Sequence, residues 1–521
     1  MSPADFIACT LVVAAVLALA AIVWSYAKGL KNSPRDLWLL FGYKVVEYAA
    51  YAAMNMALIL WLTRDCGLGD VAAGSVISAW SILLSVTGMF AGALVDTIGI
   101  RRTMILSVFF LILARLALSF LTHPALVFVF ALIPLALGFA IVAPVISVAI
   151  KRYTTREGAA LGFGLFYVLM NLAFALGGVF FDWIRGRYAT RDAAGKIIDE
   201  NAGAVLLGLH FSTYQMIFVF CLAATVVSLL ITWFVRDGVE MTDDGVIVRQ
   251  QESKGSGLAA LRGAAVETWS VIAGTVRERF FRIYMGLLSL TLFVRFVFFH
   301  FQYTFPKYGI RVLGEGAKIG SIYGVLNPVL IVFLVPLVAA LTKKTGSYKM
   351  MIWGSAISSL SCFLAAMPAS WFADLTGTVL GELVFIRWLG MAPDMAALLA
   401  DPPVPEYWPL ILFIVVFTIG EAIWSPRLMQ FTAEIAPKGR EGAYIALSVL
   451  PFFVAKFFVG PMSGWLVNAY TPVDAAGAAL ASYPRHHMLW IWIGGMAVLS
   501  PAGLLVFRRW FLTNTAHHEP E

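Results

Sequence analysis

Charge is scarce in this chain. Only 13% of its 521 residues are Asp, Glu, Lys or Arg, whereas 60% are hydrophobic, and mean hydropathy is +0.85. A soluble domain carries roughly a quarter charged residues and about half apolar ones, so this composition excludes an ordinary cytosolic enzyme, a disordered chain and a coiled coil. Cysteine is also rare: Cys9, Cys221 and Cys362 lie in apolar runs and Cys66 stands alone in a short loop. That distribution gives neither a disulfide framework nor a metal spacing. Missing as well are a phosphate-cradling Gly-Lys-Ser loop, a Gly-x-Ser-x-Gly elbow, a paired-histidine zinc motif and a Cys-x-x-Cys pair. These absences argue against an enzyme, a metal, a bound cofactor and ATP as an energy source.

What the chain has in abundance is long apolar runs. A first run covers 5–27, and twelve more follow at 37–63, 71–95, 103–122, 125–149, 158–181, 212–235, 282–304, 317–342, 349–370, 408–433, 441–467 and 486–511. Spans of about 20 to 25 residues suit a bilayer, and the remainder is too short for a large soluble domain. The pattern predicts an all-α polytopic membrane protein. The first run lacks the basic start and the small-residue cleavage site of a signal peptide, so it reads as an extra helix before the main bundle.

The net charge of +7 is not a nucleic-acid signal, because Lys and Arg gather in alternate loops. Lys28, Lys31 and Arg35 follow the first run; Arg101 and Arg102, Lys151 and Arg152, and Lys343 and Lys344 follow later ones. This is the positive-inside pattern. It predicts a multi-pass protein of the inner (plasma) membrane, in contact with lipid, with its N-terminus outside and its C-terminus in the cytoplasm. The longest polar stretch, from Arg236 to Arg282, falls after six of the twelve core runs and holds Lys254-Gly-Ser-Gly257, a flexible composition. The expected organisation is an N-terminal helix with its turn (1–36), a six-helix bundle (37–235), a cytoplasmic linker (236–280), a second six-helix bundle (281–511) and a tail (512–521). Ala373 to Tyr407 should form an external lid or short helix. Two bundles around a linker is an arrangement of many secondary transporters, with the site at the bundle interface near the midplane. The loops Ala93–Ile105 and Ala340–Ile352, each with a glycine and flanking basic residues, take equivalent places in the two halves.

The segment Gly92-Ala-Leu-Val-Asp96-Thr-Ile-Gly99-Ile-Arg101-Arg102 resembles the signature loop of the major facilitator superfamily. The resemblance implies that fold, with Asp96, Arg101 and Arg102 as a gating cluster. Further segments resemble the proton-coupled oligopeptide transporter (POT) family. They are Lys44-Val-Val-Glu47-Tyr48-Ala-Ala-Tyr51, Phe166-Tyr167-Val-Leu-Met-Asn171, Leu326-Asn327-Pro328 and Gly420-Glu421-Ala-Ile-Trp-Ser425-Pro426, followed by Ala436-Pro437. They occur in family order. Three positions depart from the family pattern: Lys44 replaces the first of two paired acids, Tyr48 replaces an arginine, and Ala143 stands where a lysine often precedes a proline. The missing cations would have helped bind a peptide carboxylate. The resemblance therefore implies a divergent relative, driven by the proton gradient, that carries small peptides or peptide-like zwitterions.

Ionisable groups at membrane depth cost at least about 2.5–3.5 kcal/mol each on insertion scales, so each asks for a reason. Lys44, Glu47 and Tyr51 share one helical face. Lys44 and Glu47 could form a self-contained pair, or Glu47 could take up a proton when its partner leaves. Glu421 has no cation one turn away and needs a partner from another helix (a structural ion pair with Arg295 or Lys456), water, or a ligand ammonium. Glu47, Lys44 and Glu421 are the proton-coupling candidates. Tyr51, Tyr167, Asn171, Arg295, Asn327 and Glu421 are the solute-binding candidates. Arg115 and Lys456 read as structural, and His300 as a solvated residue near the outer end of its span. Rival readings are an exporter of another solute (metabolite, siderophore or drug) and a non-transporting sensor whose first helix engages a partner.

Overall fold

The structure is a computed structural model that describes residues 3–155, 158–193, 195–242, 245–248, 263, 266, 269–270, 273–274, 276–435, 450–474 and 477–515. Among these, 12 helices are long and apolar enough to cross a membrane. A thirteenth arises if Ser347–Ala365 is taken with Ala369–Gly377, to which it is bent by 82°. The expected span 441–467 begins outside the described residues, as do most of the linker and the end of the tail.

The first helix, α1 (Pro3–Gly29), is apolar all round, with Asp5 in its first turn and Lys28 in its last, the charge order a helix dipole favours. Almost none of it is buried. Its C-terminal end lies on the start of α6 (Gly158–Tyr188), where the Tyr26 ring fills the space over Gly164. Its N-terminal end buries Ala4, and Asp5 meets Arg387 at 2.7 Å. The lipid-length middle stays exposed, as expected of a helix added at the rim.

The N-terminal bundle comprises α2 (Arg35–Arg64), α3 (Asp70–Ile98), α4 (Ile100–Phe120), α5 (Pro124–Tyr153), α6 and α7 (Thr213–Trp233). Gly99, at φ +88°, makes the sharp junction between α3 and α4, a conformation that a side chain would resist. Ser212 and Gln215 form a reciprocal capping box at the start of α7. The C-terminal bundle comprises α8 (Arg279–Tyr303), α10 (Gly320–Leu341), α11 (Ser347–Ala365), α12 (Tyr407–Ile435), α13 (Leu450–Tyr470) and α14 (His487–Val506). A short helix, α9 (Phe305–Leu313), joins α8 to α10.

Three small β-hairpins depart from a purely helical expectation. Two lie in the 189–211 loop and one, Val239–Thr242 with Gly245–Val248, begins the linker. The 373–407 stretch is a set of short helices resting on the start of α12, with Phe385 packed edge-on against Tyr407 and Trp408.

The bundles meet chiefly along α3 with α13 and α6 with α10. Both contacts run through glycine. A Cβ on Gly178 would fall 2.7 Å from the Gly320 carbonyl oxygen and 3.0 Å from the Gly324 Cα, so the backbones touch there. Small residues at such crossings are how membrane helices gain close packing.

Candidate functional site

A cavity of about 70 Å³ lies between the bundles, lined by Tyr51, Asn55, Phe174, Phe298, Gln302, Tyr323 and Asn327, among others. The Tyr51 ring stacks on Phe139 at 3.8 Å and 11°, and Tyr48 and Phe174 extend this aromatic wall on the N-terminal side. On the opposite wall Asn327 donates to Glu421 at 2.9 Å and to Thr418 at 3.0 Å. Glu421, expected to find its partner outside its own helix, is thus held by a neutral amide of α10 and remains partly exposed. It makes no ion pair with Arg295 or Lys456 among the described residues.

Arg295 sits one turn from the cavity residue Phe298. Its guanidinium lies 5.1 Å from the Trp424 ring centre and 4.8 Å from that of Phe452, an aromatic clamp that fixes a cation without neutralising it. Tyr167, from the N-terminal bundle, is 37% exposed and close enough to feel the charges of both Glu421 and Arg295. Asn171 is buried; its amide donates to the Tyr167 carbonyl at 2.9 Å. Of the six solute-binding candidates, Tyr51 and Asn327 line the cavity. Glu421, Arg295 and Tyr167 gather beside it, and Asn171 supports Tyr167.

Lys44 and Glu47 are not partners. Glu47 pairs with Arg115 at 2.9 Å, with both side chains fully buried. Arg115 also donates to the Cys221 carbonyl at 3.2 Å and to the Thr225 hydroxyl. The Lys44 ammonium is fully buried under the faces of Phe166 and Tyr48, with no hydrogen-bond partner. The reading of Arg115 as structural fits this geometry. His300 is a correction: it is fully buried, 2.6 Å from the Thr304 hydroxyl, which in turn donates to Ser463. Lys456 crosses to the other bundle and donates to Ser85 at 2.8 Å.

The signature-loop cluster is only partly visible. The Asp96 side chain lies outside the described residues. Arg101 donates to the Trp233 carbonyl at 3.2 Å and Arg102 is exposed.

The described ion pairs between the bundles all lie at the end away from the linker. Asp70 accepts Lys307 at 3.1 Å and Arg311 at 2.9 Å, and Arg64 pairs with Glu315. Asp182 caps the start of α10 from the other bundle, accepting Gly320 N–H at 2.9 Å and Ser321 N–H at 2.6 Å, as a carboxylate does at a helix N-terminus. Glu200 accepts Arg185, Tyr214 at 2.6 Å and Gly316 N–H at 3.0 Å. Although burial pushes its carboxyl up, the Arg185 and Arg64 guanidiniums hold it below the usual range. A polar vestibule of about 520 Å³ lies over this network.

This lock was not anticipated from sequence, although Lys307, Arg311 and Glu315 recur at helical spacing just past a span. With the lock shut at this end and Glu421, Arg295 and Tyr167 partly exposed, one face of the interface is closed over a polar centre.

Solved structures share this architecture at low identity. A POT family transporter in complex with 5-aminolevulinic acid superposes with a TM-score of 0.62 at 17% identity, covering 92% of this chain and 97% of the other. A peptide transporter POT bearing a point substitution gives 0.63 at 18%, covering 92% and 96%. The same transporter in complex with alafosfalin gives 0.64 at 16%, covering 95% and 99%. No curated protein matches by sequence. The sequence profile of the Major Facilitator Superfamily matches residues 39–400, most of the chain. Together with two six-helix bundles closed at one end over a polar centre, that match shows that this multi-pass membrane protein belongs to the major facilitator superfamily of transporters.

Proposed function

We propose that the chain is a proton-coupled symporter of small peptides or peptide-like zwitterionic solutes, working by alternating access. The observation that carries this reading is the trio of Glu421, Arg295 and Tyr167, partly exposed beside the cavity while the far end is locked. Glu421 is positioned to meet a solute ammonium or a proton, and Arg295 a carboxylate. Solved POT structures hold 5-aminolevulinic acid and alafosfalin, which supports small zwitterions as the class.

Among the proton-coupling candidates, Glu421 is the accessible group; Glu47 is sealed by Arg115 and Lys44 by aromatic rings. Protonation of Glu421 would remove the charge that a solute ammonium or Arg295 answers. Coupling would follow from that exchange. No resident cofactor enters the reading; the energy source is the proton gradient.

The test is uptake into proteoliposomes under an imposed proton gradient. Glu421→Gln should abolish gradient-driven accumulation while the protein stays folded; unchanged accumulation removes Glu421 from the mechanism. A second reading, export of another solute, is favoured by Tyr48 and Ala143, which stand where the resembled family has cations. Net efflux under the same gradient would select it.

A further inference from the structure

Two cations share one acid at the locked end. Lys307 and Arg311 stand one turn apart on α9, so they project to the same side of that helix. Both reach across the interface to Asp70, the first residue of α3: Lys307 at 3.1 Å, and Arg311 through two bonds of 2.9 Å. Their remaining bonds go to neutral carbonyls, that of Asp70 at 3.4 Å and that of Thr471 at 2.8 Å. Among the described residues no second carboxylate pairs with either cation. At pH 6.5, below the value of about 8 to which burial brings the Lys307 ammonium, the cluster carries a surplus positive charge.

A buried ion that keeps its charge needs a counter-charge. This surplus adjoins the vestibule: Lys307, Arg311 and Asp70 all line that space of about 520 Å³, and Arg311 keeps 11% of its side-chain surface. The volume falls within the range of small-molecule sites, about 300–1,000 Å³. The other acids that line the vestibule turn to other partners. Glu315 gives both oxygens to Arg64, and Asp199 accepts the Asn201 N–H at 2.8 Å.

We propose that Lys307 and Arg311 form a binding site for a small carboxylate in the vestibule, and that the bound carboxylate competes there with Asp70. The site is built on one bundle, because both cations belong to α9, whereas Asp70 comes from the other. A planar carboxylate can take the guanidinium edge that Asp70 holds, together with the ammonium beside it. Its binding therefore loosens a tie between the bundles, and a solute that carries a carboxylate meets its first partner at the lock that bars its way.

The experiment places an environment-sensitive fluorophore at Ala479→Cys, on the vestibule wall, in the full-length protein in nanodiscs and on a background lacking Cys9 and Cys66. Propionate is titrated at pH 6.5 and constant ionic strength, with chloride making up the balance, and propionamide serves as the uncharged probe of the same shape. Propionate should give a saturable shift and propionamide none. Lys307→Met, which leaves the pair of Asp70 and Arg311 in place, should weaken propionate binding about tenfold or more, and Lys307→Arg should restore it. Asp70→Asn should tighten binding several-fold, because it removes the competing charge and leaves both cations where they are. A merely structural cluster would lose binding in both neutralised variants.

A shift of equal size with propionamide, no saturable shift as propionate replaces chloride, or weaker binding in Asp70→Asn would overturn the inference. Flux separates it from the reading of the chain as a symporter. Propionate bound as expected, with no gradient-driven uptake of any solute, would overturn symport and leave the site standing. Gradient-driven uptake of a peptide, with propionate silent at the vestibule, would do the reverse.

Discussion

Arg115 reaches Glu47 at 2.9 Å in a fully buried pair, and the same guanidinium donates to the Cys221 carbonyl and to Thr225. One side chain therefore ties α2, α4 and α7 together at membrane depth. Removing one partner of a buried pair leaves an uncompensated charge and costs about 3–5 kcal/mol, whereas replacing both with apolar groups is often neutral. Glu47→Gln should lower thermal stability in detergent, and the double variant Glu47→Leu with Arg115→Met should recover most of the loss. Full stability in Glu47→Gln, with transport gone, would instead make Glu47 a proton carrier and not a tie.

The spans could be read from sequence because they rest on local information, whereas the Asn327 amide that holds Glu421 could not. An apolar run of sufficient length must span, and Glu421, with no in-helix cation, had to look outward. Arg115 could not be assigned to Glu47, because the nearest basic residue by helical spacing is Lys44. Only packing turns Lys44 under Phe166 and leaves Glu47 to α4. The lock was hidden for the same reason. Asp70, Lys307 and Arg311 each read as ordinary charges at a span end, and only the approach of the two bundles makes them one cluster. His300 stands at a span end that reads as wet in sequence, whereas the fold buries it against Thr304, which bonds Ser463 of α13.

The lock should respond to pH through Lys307. With the lock closed, burial together with the nearby Arg311 outweighs Asp70 and brings the Lys307 ammonium down from 10.5 to about 8. If opening returns it to water, the open form binds the proton more tightly between about pH 8 and 10.5. Raising pH through that window therefore favours closure, and below it the balance is flat. Asp70 and Arg311 face the same group. Labelling of Asn201→Cys in the vestibule with an impermeant thiol reagent, on a background lacking Cys66, should slow as pH rises from 8 to 10. That slowing should vanish in Lys307→Met. A reagent-corrected rate that is flat in the parent protein would remove Lys307 as the responsive group.

Glu200 should matter to stability at acid pH. Its carboxyl is held below the usual range because Arg185 and Arg64 outweigh burial. Its contribution is present above the ordinary glutamate value and is lost as pH falls through the lowered one. Glu200→Gln should destabilise at neutral pH by about 1.5–3 kcal/mol, since it removes charge-assisted hydrogen bonds from Arg185 while Asp182 stays paired with it at 3.2 Å. The gap to the parent protein should narrow in strong acid. Thermal denaturation across a pH series checks this, and a gap independent of pH would show that Glu200 acts through packing alone.

The glycine contact between α6 and α10 should decide whether the locked end can shut. A Cβ on Gly178 would stand 2.7 Å from the Gly320 oxygen and 2.9 Å from the Gly324 carbonyl carbon, and backbone cannot yield as a side-chain tip can. Gly178→Leu adds a branched side chain at this point, so the bundles must separate there before either unfolds. Asp182, one turn further along α6, would lose its hold on Gly320 and Ser321, and Arg185 its bond to the Ala317 carbonyl at 2.8 Å. The variant should fold, keep its vestibule open and fail to accumulate solute. In the thiol-labelling assay Asn201→Cys should react several-fold faster with Gly178→Leu than without it, by a population shift toward the open form. Gly186→Leu, at a position with open space around its Cβ, should leave the labelling rate unchanged. Equal rates in the Gly178→Leu and parent backgrounds would mean that the lock closes by ion pairs alone and that the close backbone approach is incidental to it.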